Sequence, residues 1–237
     1  MISLIIPMYN EEDNVKNTLE KVNSVLSKLN QKYEIIVVND GSKDGTLSAL
    51  KDAKKLYKNL AIVTYEPNKG PGNAFREGFS KAKGDIIITL DADLSFSPND
   101  IPRLLDKIKE ADVVIGSQHM KNAKMENIPL WRVLVSKAAI HMDRFFLGVK
   151  LSSVSSFFVA YKKDIIKNLV FRSNGFDAQC EILVKLYKKG YKIKEIPCTL
   201  RWSDNRKNRL TFKKLLKEIE KRIRLWVYLN KNIKNET

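Results

Sequence analysis

The chain has 237 residues, is 43% hydrophobic and has a formal net charge of +16 at pH 7. This length suits one large α/β domain, or one domain with an appendage, that buries its own core. The two cysteines, Cys180 and Cys198, lie far apart and predict free thiols, and no apolar run approaches the roughly 20 residues that span a bilayer. We therefore expect a cytoplasmic protein or one bound to a membrane face, without a transmembrane helix or signal peptide.

The first half of the chain alternates between short apolar strands and amphipathic helices. Strands are predicted at residues 2–6, 33–38, 60–65, 85–90 and 112–115. Helices are predicted between them, at residues 11–29, 46–57, 72–82 and 98–109. This alternation predicts an α/β fold, with a doubly wound, mostly parallel sheet and helices on both faces.

The second half changes character after residue 117. A polar stretch at 118–128 precedes an amphipathic helix predicted at 130–147, and a strand-like segment follows at 154–161. The remaining predicted elements are a helix at 177–189, one or two strands within 191–202, and a final helix at 211–230. No internal repeat or low-complexity linker interrupts this order.

The fourth predicted strand ends in two carboxylates, Asp91 and Asp93. A charged pair cannot lie inside a buried strand, so the pair must emerge at its carboxyl end, where open α/β sheets bind ligands. Two carboxylates without a neighbouring His or Cys suit a hard cation such as Mg²⁺ or Mn²⁺ that also holds phosphate. In an isolated pair of this kind, one acid more often caps a turn and the other is solvated. Whether this pair binds a metal therefore depends on the residues in the neighbouring loops.

Polar clusters also follow the other predicted strands, at residues 7–11, 39–42, 66–68 and 116–118. Parallel strands bring these loops to one edge of the sheet, where they can surround a single ligand. We expect Asp40 and Glu11 to hydrogen-bond a nucleobase or ribose, and a metal at Asp91 and Asp93 would bridge a diphosphate. The glycine motifs of dinucleotide-binding and P-loop proteins are absent from the sequence.

Four segments in this order, at residues 7–12, 38–46, 68–70 and 90–95, resemble the motifs of the family 2 inverting glycosyltransferases of GT-A fold. Further matches at 115–117, 131–136, 154–158 and 175–197 resemble the branch of dolichol-phosphate mannose synthase and related polyprenyl-phosphate sugar transferases. The resemblance covers about residues 1–210. It implies a Rossmann-like GT-A domain and a metal-dependent, inverting transfer of a hexose from GDP-mannose or a UDP-sugar to dolichyl or polyprenyl phosphate.

The resemblance also assigns roles to matching residues. Nucleotide recognition falls to residues of the donor motifs, namely Pro7, Tyr9, Glu11, Val38, Asp40 and Asp91. Asp91 and Asp93 would hold Mg²⁺ or Mn²⁺ and act in catalysis, with Ser95 as a further metal ligand. Arg132, also assigned to catalysis, and Ser136 would bind the acceptor phosphate.

Several positions depart from the family's pattern. Asn39 replaces the first acid of D-D-G-S, and Gln118 replaces the arginine of G-S-R-Y. Phe157 replaces the glycine of S-G-F, and Val159 replaces the arginine that often follows it. Most of these changes lie in the acceptor half, so the donor assignment rests on more residues than the acceptor assignment.

The acceptor chemistry favours a phosphate over a hydroxyl. An alcohol acceptor needs a general base, whereas a phosphate monoester, with a second pKa of about 6, is already an oxyanion at neutral pH. Residues 177–181 lack the adjacent Glu-Asp pair that family members acting on hydroxyls usually offer. Cations for a phosphate are available at four positions, Arg132, Arg201, Arg206 and Arg209.

Three alternatives stay open at this point. The first is a soluble family 2 enzyme that acts on a glycan hydroxyl, and the second is a regulatory pseudoenzyme, suggested by Gln118 and Phe157. The third is a basic nucleic-acid-binding protein, which the charge permits. We expect no nucleic-acid partner, because recognised binding motifs and aromatic residues interleaved with the basic ones are absent from the sequence.

The last predicted helix is basic and amphipathic. Its apolar side chains fall at helical spacing, namely Phe212, Leu215, Leu216, Ile219, Ile223, Trp226 and Val227. This pattern is typical of an interfacial helix on anionic lipid at the cytosolic face, and packing on the domain is an equal contender. We divide the chain into a transferase domain at 1–210, with a nucleotide-sugar half (1–117) and an acceptor half (118–210), and a C-terminal helix at 211–237.

Overall fold

The computed structural model describes residues 1–202 and 212–232, and the side chains of 1–202 and 220–231. The β-strands are β1 (Ile2–Met8), β2 (Tyr33–Asp40), β3 (Leu60–Tyr65), β4 (Ile86–Thr89), β5 (Val113–Ser117), β6 (Met125–Glu126), β7 (Val159–Lys162), β8 (Ile193–Pro197) and β9 (Leu200–Arg201). The α-helices are α1 (Glu12–Leu26), α2 (Thr46–Leu56), α3 (Pro71–Lys81), α4 (Ile101–Lys107), α5 (Leu130–Leu147), α6 (Lys163–Lys167), α7 (Ala178–Lys188) and α8 (Phe212–Asn232). Single 3₁₀ turns flank α4 on both sides.

Seven strands form one sheet in the order β3-β2-β1-β4-β7-β5-β8. Strands β1 to β4 are parallel to one another, and β5 and β8 are parallel to each other. The predicted doubly wound, mostly parallel sheet is confirmed. The carboxyl ends of β1, β2 and β4 therefore meet at one edge, where the predicted donor residues follow them.

Strand β7 is antiparallel and lies between β4 and β5. Ala160 is paired with Ile88 of β4 on one side and with Val114 of β5 on the other. The sequence predicted a strand from residue 154, whereas β7 begins at Val159. The five residues before it form a loop, in which the Ser156 hydroxyl donates to the carbonyl of Gly116 at 2.7 Å.

Helices cover both faces of the sheet, as predicted. On one face α1 buries Val15, Leu19, Val22 and Leu26, which recur at the helical period, together with apolar residues of α2 and α4. On the other face α3, α7 and α8 pack together in a second apolar cluster. The short helix α6 and the two-residue strands β6 and β9 were not predicted individually.

The described part of α8 packs on the domain. Leu225, Trp226 and Leu229 are buried, while Ile223 and Val227 on the same helix are exposed. Asp143 of α5 is buried, forms an ion pair with Arg222 and accepts a hydrogen bond from the Trp226 indole at 2.9 Å. Packing on the domain is thus realised here, and the predicted apolar face is divided between core and solvent.

The side chains of Phe212, Leu215, Leu216 and Ile219, which the sequence placed on that face, lie outside the described residues. In the part of the chain that the structure describes, no helix is both long and apolar enough to cross a membrane.

Candidate active site at the carboxyl ends of the strands

The two predicted metal ligands lie just beyond β4. Ala92 between them is buried, and its carbonyl accepts a hydrogen bond from the hydroxyl of Thr18 in α1. Asp91 and Asp93 are half-buried at the edge of the sheet. Ser95 follows in a tight turn, and its hydroxyl and amide donate to the same oxygen of Asp93 at 2.6 and 3.0 Å. The structure therefore joins two of the three predicted ligands, Asp93 and Ser95, by direct hydrogen bonds, with Asp91 two residues before Asp93.

The donor set at this turn fits a hard divalent cation. It offers carboxylate and hydroxyl oxygens, which Mg²⁺ and Mn²⁺ prefer. Among the described residues, no three His, Cys, Asp or Glu side chains form a cluster that would hold a metal alone. A cation at Asp91 and Asp93 would take further oxygens from a bound ligand, as Mg²⁺ sites on phosphates do.

Asp40, the predicted base-recognition acid, is buried and shapes the adjacent loop. Its carboxylate accepts hydrogen bonds at 2.8 Å from the Asn68 side chain and from the amides of Lys69 and Gly70. These use three of the roughly four positions at which a carboxylate accepts hydrogen bonds. In this structure Asp40 builds the loop beside the candidate nucleotide site, and its contact with a base stays a prediction.

The other predicted nucleotide residues lie in or directly after β1 and β2. Pro7 and Val38 are directly opposite each other in the β1–β2 register. Tyr9 is exposed just beyond β1, and the half-buried Glu11 accepts a hydrogen bond from the Asn14 side chain. Val38 is fully buried in the apolar core, whereas Tyr9 and Glu11 follow β1 beside the loop that follows β2.

Asn39, where the family has an acid, uses both ends of its amide. Its nitrogen donates to the Thr64 hydroxyl at 3.1 Å, and its oxygen accepts from the amide of Ser42 at 3.3 Å. This departure from the family pattern therefore has a structural role between β2 and β3.

A cavity of about 250 Å³ lies beside this predicted metal-binding turn, which contains Asp93 and Ser95. It is lined by Ser95, by Arg132 and Ser136 of α5, and by Arg201 and Trp202. The predicted metal side and the predicted acceptor side thus share one space. Arg206 and Arg209 lie outside the described residues.

Two tryptophans hold the Arg132 guanidinium. It lies 4.8 Å from the ring centroid of Trp131 and 4.3 Å from that of Trp202. Such stacking fixes the side chain while leaving its charge intact. Trp202 was not predicted as a site residue, although it directly follows Arg201, which was predicted to bind the acceptor phosphate.

Arg201 is paired with an acid. Its Nε donates to Glu126 at 2.6 Å, and the two residues are partners in the β6–β9 register. The pair is largely exposed to solvent, so it weakens but does not cancel the positive charge at this end of the cavity. Glu126 was also missed, because two-residue strands give no periodic signal.

Ser136 is hydrogen-bonded to a histidine, His119, with 3.0 Å between Oγ and Nε2. Burial lowers the pKa of His119 to about 4, and the nearby cations Lys137 and Arg144 act in the same direction. The imidazole is therefore neutral at pH 7. Its Nδ1 is buried, without a hydrogen-bond partner among the residues that the structure describes.

A chain of hydrogen bonds anchors the loop that contains His119. Glu195 of β8 accepts from the amide and hydroxyl of Ser152, at 3.0 and 2.6 Å. The Ser152 and Ser117 hydroxyls are 2.6 Å apart, and the backbone amide of His119 donates to the Ser117 hydroxyl at 3.2 Å. The position of His119 is thus determined by a buried network that begins in β8.

The structure also places the other departures from the family pattern. The Phe157 ring stacks on Phe176 at 5.8 Å between centroids and meets Phe75 of α3 edge-on at 5.1 Å. Val159 starts β7 and is buried. The Gln118 side-chain oxygen is buried at the cavity, without a hydrogen-bond partner within the described ranges.

A buried ion pair supports the loop at residues 171–174, next to the donor side. Glu181 and Lys185 are 0% and 3% exposed and 3.1 Å apart. Burial raises the pKa of Glu181, but hydrogen bonds from the amides of Ser173 and Arg172, and from Lys185, outweigh it and lower the pKa overall. The loop in turn accepts a hydrogen bond from the amide of Gly72 at the start of α3.

Comparison with known proteins gives a consistent family. The model of glycosyl transferase family 2 matches residues 3–170. The chain is 36% identical over 203 residues to a dolichol-phosphate mannosyltransferase of Pyrococcus furiosus, covering 84% of this chain and 56% of that protein. It is 29% identical over 201 residues to an undecaprenyl-phosphate mannosyltransferase of Micrococcus luteus, covering 82% and 81%. The chain thus spans little more than half the length of the first of these relatives.

Solved structures show the same fold. Glucosyl-3-phosphoglycerate synthase from Mycobacterium tuberculosis, in complex with Mn²⁺ and UDP-glucose, superposes with a TM-score of 0.69 at 18% identity. The match covers 91% of this chain and 73% of that one. The predicted GT-A architecture is confirmed by this likeness.

Proposed function

The chain belongs to glycosyl transferase family 2, and from this premise we propose that it transfers a hexose from a nucleotide sugar to dolichyl or another polyprenyl phosphate. The donor would be GDP-mannose or a UDP-sugar. The observation that supports this most is the cavity lined by Ser95 of the predicted metal-binding turn and by Arg132 and Ser136.

The donor would lie along the carboxyl edge of β1, β2 and β4. Tyr9, Glu11 and the loop built by Asp40 border the space for the nucleoside, and Asp91 and Asp93 border the space for the diphosphate. Mg²⁺ or Mn²⁺ held by these two acids would supply Lewis-acid stabilisation of the departing diphosphate. Asp93 also orients Ser95, so the turn presents several oxygens in a fixed arrangement.

The acceptor side of the cavity offers cations and donors for a phosphate, a nucleophile that needs no general base. Arg132, which stacks on the indole rings of Trp131 and Trp202, offers a fixed cation, and Arg201 and Ser136 add donors to the same cavity. Among the described residues, Glu126 is an acid close to these groups, and it is paired with Arg201. A phosphate oxyanion that attacks the anomeric carbon from the face opposite the diphosphate would give inversion.

A donor screen tests the proposed reaction. The chain is incubated with radiolabelled GDP-mannose or UDP-hexoses, Mn²⁺ or Mg²⁺, and liposomes that contain polyprenyl phosphate. We expect label in the organic phase with one donor. Label in added glycans but not in lipid would favour the soluble alternative. Salt-sensitive binding to DNA or RNA, without transfer to any acceptor, would favour a nucleic-acid-binding protein.

We further propose that α5 lies against the anionic, cytosolic surface of the membrane. One stripe of this helix is exposed and apolar, with Leu130, Leu134 and Phe145 at 73%, 59% and 82% exposure. Ile223 and Val227 of the neighbouring α8 are also exposed, and the chain's charge of +16 suits anionic lipid. In this orientation α5 would lie at the membrane surface with the Arg132 cavity on its opposite side, and the protein would be peripheral.

Substituting exposed apolar residues of α5 should weaken membrane binding without abolishing sugar transfer. The double change Leu134→Glu and Phe145→Glu is expected to lower binding to anionic liposomes at least about tenfold, because two large apolar side chains no longer enter the interface. Transfer to a short, water-soluble prenyl phosphate should persist. Liposome co-sedimentation and label transfer measure the two effects.

Leu56→Glu in α2 is the matched control, because Leu56 is 78% exposed and lies at the far end of the sheet, in the helix before β3. Equal liposome binding by the double variant and the control would contradict docking through α5.

A further inference from the structure

We propose that His119 is a positioning residue that turns the Ser136 hydroxyl toward the acceptor phosphate. The inference rests on the proposed function and adds a residue to which the family pattern gives no role. In this chain Gln118 and His119 stand where the polyprenyl-phosphate branch has Arg and Tyr. The direct cation of that segment is missing here, and a hydrogen bond to α5 takes its place.

The hydrogen bond that His119 makes to α5 goes to Ser136. Its Nε2 is 3.0 Å from Ser136 Oγ, and Ser136 lies one helical turn after Arg132, so both side chains line the same cavity. His119 itself is not among the residues that line the cavity, so it acts through Ser136. Its backbone is fixed by Ser117, Ser152 and Glu195.

The position of the single imidazole proton decides the direction of this hydrogen bond. A proton on Nδ1 would leave a buried N–H without a hydrogen-bond partner. Nε2 would then be an acceptor, and the Ser136 hydroxyl would have to donate to it. A proton on Nε2 is paired with Ser136 Oγ, and it leaves the Ser136 O–H to donate into the cavity. The nearby cations Lys137 and Arg144 also disfavour a second ring proton. The Nε2–H tautomer therefore makes Ser136 a donor for an anion.

Paired substitutions at His119 test this role. His119→Gln keeps an N–H near the position of Nε2, whereas His119→Met fills similar space without a donor. We expect His119→Met to raise the KM for polyprenyl phosphate about tenfold, with kcat and the KM for the nucleotide sugar little changed. His119→Gln should restore most of the acceptor affinity. Equal acceptor KM values for wild type and His119→Met would overturn the proposal.

A double-mutant cycle distinguishes positioning from a general structural role. In a Ser136→Ala background, His119→Met should have little further effect on the acceptor KM, because the group it orients is gone. Additive effects of the two substitutions would contradict the proposal. If wild type labels no polyprenyl phosphate, the proposed function fails first, and the kinetic comparison does not arise.

A spectroscopic measurement is independent of activity. Long-range ¹H–¹⁵N spectra of the ¹⁵N-histidine-labelled chain at pH 7 should show His119 as the neutral Nε2–H tautomer, identified by the signal lost in His119→Gln. Observation of the Nδ1–H tautomer would reverse the hydrogen bond and overturn the inference, whether or not the chain transfers sugar.

Discussion

Replacing Asp93 with Ala is expected to lower the rate of sugar transfer at least about 10³-fold, with little change in melting temperature. If these carboxylates hold the proposed metal, removal of one of them would weaken metal binding and the stabilisation of the diphosphate, an effect of several kcal/mol. Asp93 is half-buried at the rim of the sheet and outside the apolar clusters, so the fold should survive. Initial rates of label transfer, with thermal melts alongside, measure both quantities.

Asp85→Ala is the matched control for this change. Asp85 precedes the same strand, β4, at its other end, and it is exposed and paired with the chain's N-terminal amine. Its replacement should leave the transfer rate within about twofold. A rate for Asp93→Ala within tenfold of wild type would remove these carboxylates from the mechanism and favour a metal-independent site.

Replacing Glu181 with Ala is expected to lower the free energy of unfolding by about 3–5 kcal/mol. The change leaves the Lys185 ammonium buried without its counterion, and it removes the acceptor for the amides of Arg172 and Ser173. Urea denaturation followed by tryptophan fluorescence measures the loss. The additional change Lys185→Met should recover part of it, because the unpaired charge is removed.

The exposed pair between Asp52 and Lys55 on α2 provides the comparison. Asp52→Ala should change the free energy of unfolding by no more than about 0.5 kcal/mol, since solvent screens this pair. Similar losses for Glu181→Ala and Asp52→Ala would show that the buried pair adds nothing beyond a surface contact.

Predictions from the sequence were most accurate where the pattern lies within a single helix or strand and its flanking residues. The boundaries of α5 were predicted correctly at both ends, and in the structure Pro129 precedes the helix and Gly148 follows it in a left-handed conformation, φ 65°. The position of Asp91 and Asp93 beyond a buried strand also follows from local pattern, since charge cannot continue inside β4. Both inferences need no knowledge of distant residues.

Side-chain contacts between segments that are far apart along the chain could not be predicted from the sequence. His119 and Ser136 are 17 residues apart and belong to a loop and a helix, and nothing in either segment predicts their contact. Asp40 has the pattern of a ligand-binding acid, yet in the structure it mainly accepts hydrogen bonds from a loop about 30 residues away. Side-chain partners of this kind depend on tertiary packing, which periodicity does not encode.

The placement of β7 has a consequence for the order in which the protein is made. During synthesis β4 and β5 leave the ribosome well before residues 159–162, which must enter between them. Until then each of the two strands has an unpaired edge, and such edges promote aggregation. A fragment that stops at residue 117 would retain both open edges. The predicted nucleotide-sugar half is therefore defined by its expected chemistry and not by a closed set of strand pairings. The nascent chain must keep the open edges of β4 and β5 from aggregating until residues 159–162 have emerged.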